Sequence, residues 1–369
     1  MSLNCGIVGL PNVGKSTIFS ALTQAPAEAA NYPFCTINPN FGIVNVPDYR
    51  LYKIAEFIPT QKIIPTTVEF VDIAGLVKGA SKGEGLGNQF LGNIRQVGAI
   101  VHVVRCFEDD NIVHVEGSIS PIRDIEIIEL ELAFADLESV NKKLENIGKF
   151  LRSQDKKVVE KAKLQEDVLN KIRINLEEGR PARKVELNDE EYQSIKELNL
   201  ITIKPQIYCC NVDENSLNKE NNYVKQVKNY AELNNSDVIV ICGKLEAEIA
   251  ELETDEDRMQ FLNDLGLEES GLNQLARAAF HSLNLNTFFT AGEKEVRAWT
   301  FKKNSLAPQA AGVIHSDFER GFIRAEVYHF NDLIEYGSEQ KIKDAGKLRI
   351  EGKDYVVQDG DIMHFRFNV

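Results

Sequence analysis

Gly9, Gly14, Lys15 and Ser16 stand at the spacing G-x-x-x-x-G-K-S, inside the run Gly9-Leu-Pro-Asn-Val-Gly-Lys-Ser-Thr17. This pattern suits the binding of a phosphate chain. Glycine lets the backbone turn tightly, so that N–H groups of the loop and of the helix start converge on phosphate oxygens. Gly9 opens the turn, and Asn12, Val13, Gly14, Lys15, Ser16 and Thr17 surround the ligand. Lys15 can reach the β- and γ-phosphates, and the Ser16 hydroxyl can sit on Mg²⁺. The apolar run 3–8 before the loop predicts a buried strand, and the pattern from Ile18 onward predicts a helix. A plain glycine turn would not bring the full pattern with both flanks.

The next candidates follow in chain order. Thr36, in the loop after that helix, is placed to ligate Mg²⁺ and sense a γ-phosphate. The strand predicted over 67–75 ends in Asp72-Ile-Ala-Gly75. Asp72 can hold Mg²⁺ through water, and the Gly75 N–H can meet the γ-phosphate and swing away after hydrolysis. Residues 75–87 carry five glycines, which predicts a switch segment. Position 76 holds Leu, where a water-orienting Gln often stands. His114, in the polar stretch 107–120 after a strand at 99–105, is a candidate to orient water instead. A solvated loop histidine is the other reading, and the residues alone leave the two open. Asn12 is a candidate to hold a monovalent cation against the phosphates.

Base choice rests on Asn211-Val212-Asp213-Glu214, at the end of a strand predicted over 205–211. A guanine reader of this class carries Asn-Lys-x-Asp, whose final carboxylate accepts two hydrogens from guanine. Glu214 reaches one methylene further and is misplaced for that task, which favours ATP over GTP. Asn211 can pair with the adenine N6/N7 edge or brace the loop. Asp213 can take the guanine role if the loop shifts by one residue.

The chain has 369 residues and a net charge of −14, enough length for two or three domains and the wrong sign for a nucleic-acid coat. No run reaches the ~20 apolar residues of a membrane helix, and the first strand follows Met-Ser directly. The expectation is a cytoplasmic protein with no membrane partner. Its six cysteines lack Cys-x-x-Cys spacing and read as reduced, buried thiols, and its six histidines form no metal cluster.

From 121 to 199 the pattern turns helical and charged. Leu130, Leu137 and Leu144 recur every seven residues with Phe134, Val140 and Ile147 between them, which is coiled-coil spacing. A reversal near 150–155, with Ser153 as cap, would make a hairpin whose tip carries Lys149, Arg152, Lys156 and Lys157. Residues 142–173 hold ten Lys/Arg against five Asp/Glu. Strands and helices resume after 200, so the hairpin reads as an insertion into an α/β nucleotide domain made of 1–120 and 200–282. After 283 a small α+β module begins, with strands expected at 288–290, 296–300, 323–328, 355–357 and 362–367.

The stretches at 9–16, 72–88 and 211–214, with the hairpin between strands, together resemble the YchF family of Obg-like ATPases over essentially the whole chain. The resemblance implies a translation-factor-class P-loop ATPase that prefers ATP to GTP and binds the ribosome, chiefly its large subunit, which stimulates hydrolysis. It implies that Asn211, Val212 and Glu214 meet the base and that Ser16 and Thr36 ligate Mg²⁺. Leu76 is the family's hydrophobic replacement for the glutamine, and His114 is the catalytic substitute alongside Lys15. Potassium stimulation maps to Asn12. Residues 283–369 resemble its TGS domain, a β-grasp fold, and RNA is a further partner for the hairpin and that module. Two other functions stand beside this one: a GTP-hydrolysing relative using Asp213, and a nucleotide-gated RNA or ribosome adaptor whose hydrolysis is incidental.

Overall fold

A computed structural model describes residues 3–24, 41–73, 86–114 and 117–368. The chain divides into two compact units, one from residues 1–42 and 69–275, the other from 43–68 and 276–369.

In the first unit five parallel strands of one sheet run in the order β4-β1-β5-β6-β7. The strands are β1 (Asn4–Val8), β4 (Thr67–Asp72), β5 (Ala99–Arg105), β6 (Gln206–Asn211) and β7 (Asp237–Ile241). Every residue of β5 and β6 is buried, as expected for central parallel strands covered on both faces. The loop after β1 enters α1 (Lys15–Gln24), which buries Ile18, Phe19, Ala21 and Leu22. The helix α3 (Leu86–Gln96) precedes β5. All the strand ends that matter for the site, after β1, β5, β6 and β7, are C-terminal ends of this sheet, where open α/β sheets place their ligands.

The insertion is a hairpin of α4 (Pro121–Leu151) and α5 (Lys156–Glu177). At 31 residues α4 is about 46 Å long. The seam uses Ala133, Leu137, Val140, Leu144, Ile147 and Leu151, a strict alternation of steps of four and three. The register therefore differs from the expected one at its start: Leu130 and Phe134 are exposed. The cap also differs. Asp155, not Ser153, is the N-cap of α5 and accepts from the Lys157 N–H, while Ser153 Oγ accepts from the Asp155 N–H. A short Asp reaches the second N–H more directly, and the serine serves the turn itself. Two buried carboxylates anchor α4 to the segments around β6. Asp136 accepts from the N–H groups of Ile201 and Thr202 and from Thr202 Oγ1, at 2.9, 2.7 and 2.8 Å. Glu129 meets Arg183 at 2.6 Å and the hydroxyls of Tyr208 and Tyr230.

In the second unit a mixed sheet has the order β11-β10-β12-β8-β9-β3. These are β3 (Ile63–Ile64), β8 (Leu285–Ala291), β9 (Val296–Lys302), β10 (Phe322–His329), β11 (Arg349–Glu351) and β12 (Asp361–Phe367). A parallel central pair, β8 with β12, is flanked by antiparallel β9 and β10, the arrangement of a β-grasp module. Two features depart from expectation. Residues 46–66, assigned above to the nucleotide domain, pack here: β3 pairs with β9, and Arg50 of α2 (Tyr49–Phe57) is bound to Asp48 and Asp359, each at 2.7 Å. Residues 355–357 form no strand; Val356 makes one isolated bridge to Leu306.

Candidate nucleotide site

Three backbone conformations make the phosphate loop. Gly9, Asn12 and Gly14 all have positive φ, at +154°, +61° and +96°. At Gly14 there is a second constraint: a Cβ there would lie 2.1 Å from Asn211 Nδ2. Asn211 donates through Nδ2 to the Val13 carbonyl at 2.9 Å and accepts through Oδ1 from the Gly243 N–H at 3.0 Å. Of the two roles the sequence left open for Asn211, its side chain performs the bracing one here. It ties the end of β6 to the phosphate loop and to the segment after β7.

Lys15 is buried, and its Nζ donates to the carbonyls of Gly9 and Leu10 at 2.9 and 2.8 Å. Burial pushes its ammonium below the ordinary lysine range, and the nearby Asp72 opposes that shift. Asp72, half-buried at the end of β4, is raised by burial and lowered by Lys15. Ser16 and Thr17 are exposed on the first turn of α1.

Asn12, Gly14, Lys15, Ser16 and Thr17 floor a cleft of about 600 Å³. One wall is the segment 107–112; the other is 211–215 with Cys242 and Lys244. The first wall is built by Arg105, which is fully buried. Its guanidinium donates to the carbonyls of Phe107, Asp109 and Ile112 at 3.1, 3.1 and 2.9 Å and lies over the Phe107 ring. On the other wall Val212 is buried, and Glu214 is drawn to Lys244 at 2.9 Å. Asp213 accepts the Ser216 N–H at 2.9 Å. Both carboxylates near the base-contact segment therefore already have partners.

His114 is buried and does not line the cleft. Its Nε2 lies 2.8 Å from Asp124 Oδ2 on α4, so it is not the solvated loop histidine that was the bland alternative. One residue earlier, the Val113 carbonyl accepts from Asn12 Nδ2 at 3.2 Å, which joins the histidine's loop to the phosphate loop. Thr36, Gly75 and Leu76 lie outside the described residues.

No group of three or more His, Cys, Asp or Glu that could hold a metal occurs among the described residues. A cation here would be held by the Ser16 hydroxyl, by Asp72 through water and by phosphate oxygens. That oxygen-only donor set suits Mg²⁺, which keeps several waters.

Sequence reasoning missed Arg105, Asp124 and Lys244. An apolar strand that ends in arginine was the only sign of the first. The other two are visible only once the loops are folded.

Residues 4–160 match a family model described as 50S ribosome-binding GTPase. Residues 285–368 match the YchF-type GTPase C-terminal model, described as a protein of unknown function. The "Ribosome-binding ATPase YchF" of Bacillus subtilis is 56% identical, and that of Escherichia coli O157:H7 is 54% identical, each over 100% of both chains. The chain belongs to the YchF family. The solved YchF GTPase of Schizosaccharomyces pombe is 40% identical and superposes with a TM-score of 0.89 over 99% of this chain and 98% of its own. The YchF relatives thus share both units and the hairpin's length of chain, although their names differ between ATPase and GTPase.

Proposed function

We propose that this YchF-family chain is a Mg²⁺-dependent ATPase that binds the ribosome and works as a nucleotide-switched regulator of translation in the cytoplasm. The observation that carries the choice of ATP is the state of the base-contact segment. Guanine needs a free carboxylate for its N1–H and N2 amino group. Glu214 is paired with Lys244 and Asp213 accepts from the Ser216 N–H, so a guanine would have to share either carboxylate with a resident partner. Adenine makes no such demand. Asn211, Val212 and Glu214 would frame the base.

Lys15 would exchange the Gly9 and Leu10 carbonyls for β- and γ-phosphate oxygens, a trade of neutral acceptors for charged ones. Mg²⁺ held at Ser16 and Thr36, with Asp72 behind water, would supply neutralisation of phosphate charge. His114 would orient the attacking water, because Leu76 cannot. Asn12 would hold K⁺. The ribosomal contact is assigned to the large subunit, through the basic hairpin tip and the C-terminal module, with RNA phosphates as the natural partner of Lys149, Arg152, Lys156 and Lys157.

Phosphate release from ATP and from GTP, each with and without bacterial 70S ribosomes, tests this reading. Faster release from ATP, raised by ribosomes and abolished by His114→Ala only in its ribosome-stimulated part, is expected. Equal, unstimulated rates would favour the adaptor reading, in which hydrolysis is incidental.

A further inference from the structure

The position of His114 calls for more than a catalytic assignment. Its side chain and that of Asp124 are both nearly inaccessible, at 4% and 3%, and their polar atoms are 2.8 Å apart. A group meant to face the γ-phosphate is instead held against the first turn of α4. We propose that Asp124 is a positioning residue that keeps His114 out of the nucleotide cleft, and that release of this contact sets when His114 becomes available. This inference rests on the reading of His114 as the water-orienting group.

Three observations carry it. The Asp124 carboxylate is itself fixed: Arg123 holds its Oδ1 at 3.1 Å, and Arg123 is in turn bound to the carbonyl and hydroxyl of Ser118. The histidine needs only a short path to the phosphates, because the neighbouring Val113 carbonyl already touches Asn12 of the phosphate loop. Gly117 has φ +80°, its N–H meets the His114 carbonyl at 3.1 Å, and no described residue crowds it, so the turn beside the histidine has room to change.

The design separates this from ordinary structural damage, because a damaged protein does not turn over faster. In the free full-length chain, Asp124→Asn weakens the acceptor while keeping the shape. It should raise ribosome-free ATP turnover about tenfold or more, the worth of one charge-assisted hydrogen bond. It should shrink ribosome stimulation by the same factor, and the gain should vanish in the double variant with His114→Ala. If Asp124→Asn leaves the ribosome-free rate unchanged or lowers it while His114→Ala still abolishes stimulation, the latch is wrong and the role of His114 stands. If His114→Ala is as active as the parent in both conditions, the underlying reading fails and the latch with it.

The parent chain offers a second test that needs no variant to fold. Histidine C2 deuterium exchange read by mass spectrometry should find His114 protected in the free chain. Its exchange should become several-fold faster when 70S ribosomes and a non-hydrolysable ATP analogue are present. Equal protection in both states overturns the proposal.

Discussion

Asn211 and Gly14 cannot both be altered freely: the asparagine Nδ2 lies where a side chain on residue 14 would begin, 2.1 Å from an ideal Cβ. The glycine of the phosphate loop is thus required twice, by its φ of +96° and by its neighbour. The same asparagine satisfies Val13 and Gly243, so one side chain sets the spacing of three loops around the cleft.

Asn211→Ala should weaken binding of ATP and GTP together, by tenfold or more, and lower stability by about 1–3 kcal/mol for the buried groups left unpaired. Calorimetric titration and urea denaturation of the same preparation check both halves. A variant that changed the ATP-to-GTP ratio and left stability alone would show that Asn211 reads the base rather than bracing the loop.

Reversing the hairpin tip is the second case. Lys149, Arg152, Lys156 and Lys157 flank the turn at 152–155 and are all exposed. Replacing all four with Glu should cost little stability, since exposed charges contribute little. Co-sedimentation with ribosomes should fall several-fold and become less dependent on salt. Unchanged sedimentation at moderate salt would remove the hairpin from the interface.

Asp136→Ala strips Ile201, Thr202 and Arg95 of a shared acceptor in the interior. Breaking a buried charged network from one side costs about 3–5 kcal/mol. Thermal unfolding should show a large drop, and limited proteolysis should cut first near the hairpin's base. A loss under 1 kcal/mol would mean that the clamp on α4 is weak.

Stability should respond to pH through two buried groups of opposite sign. His102 lies inside β5 with a ring nitrogen 3.2 Å from Gln206 Nε2, and burial pushes its imidazole down from 6.5 to about 4. The unfolded chain therefore binds the extra proton between those values, and stability falls as pH drops through that window. Burial raises Glu246 from 4.5 to about 7, against the N–H groups of Gly271 and Leu272. Its contribution is present at low pH and is lost as pH rises through that range. The two oppose one another near pH 5–6. Urea midpoints at pH 5 and pH 7.5 should differ less favourably at pH 5 in the parent than in His102→Gln. Identical differences in the two proteins would contradict this assignment.

Much of this was legible in residue types. The runs at 99–105 and 206–211 are apolar throughout because both faces are covered, and such runs need no partner to be recognised. The phosphate loop reads directly because its glycines and lysine serve the ligand rather than the rest of the fold. The placement of 46–66 was not legible. Its strand β3 has only two residues, and the link that holds α2, Arg50 with Asp359, joins positions 309 apart. The coiled-coil register was half legible: apolar residues recur every seven positions along two overlapping stripes, and only packing against α5 selects the one that begins at Ala133. The environment of His114 was hidden for another reason. A polar loop advertises exposure, while the carboxylate that buries its histidine sits on the next helix.

The most direct test of the account is titration of the purified full chain with ATP and with GTP in the presence of Mg²⁺, followed by calorimetry. Clearly tighter binding of ATP is the result predicted by carboxylates at 213 and 214 that already have partners. Tight GTP binding with weak ATP binding would contradict it and make this chain a guanine-nucleotide enzyme.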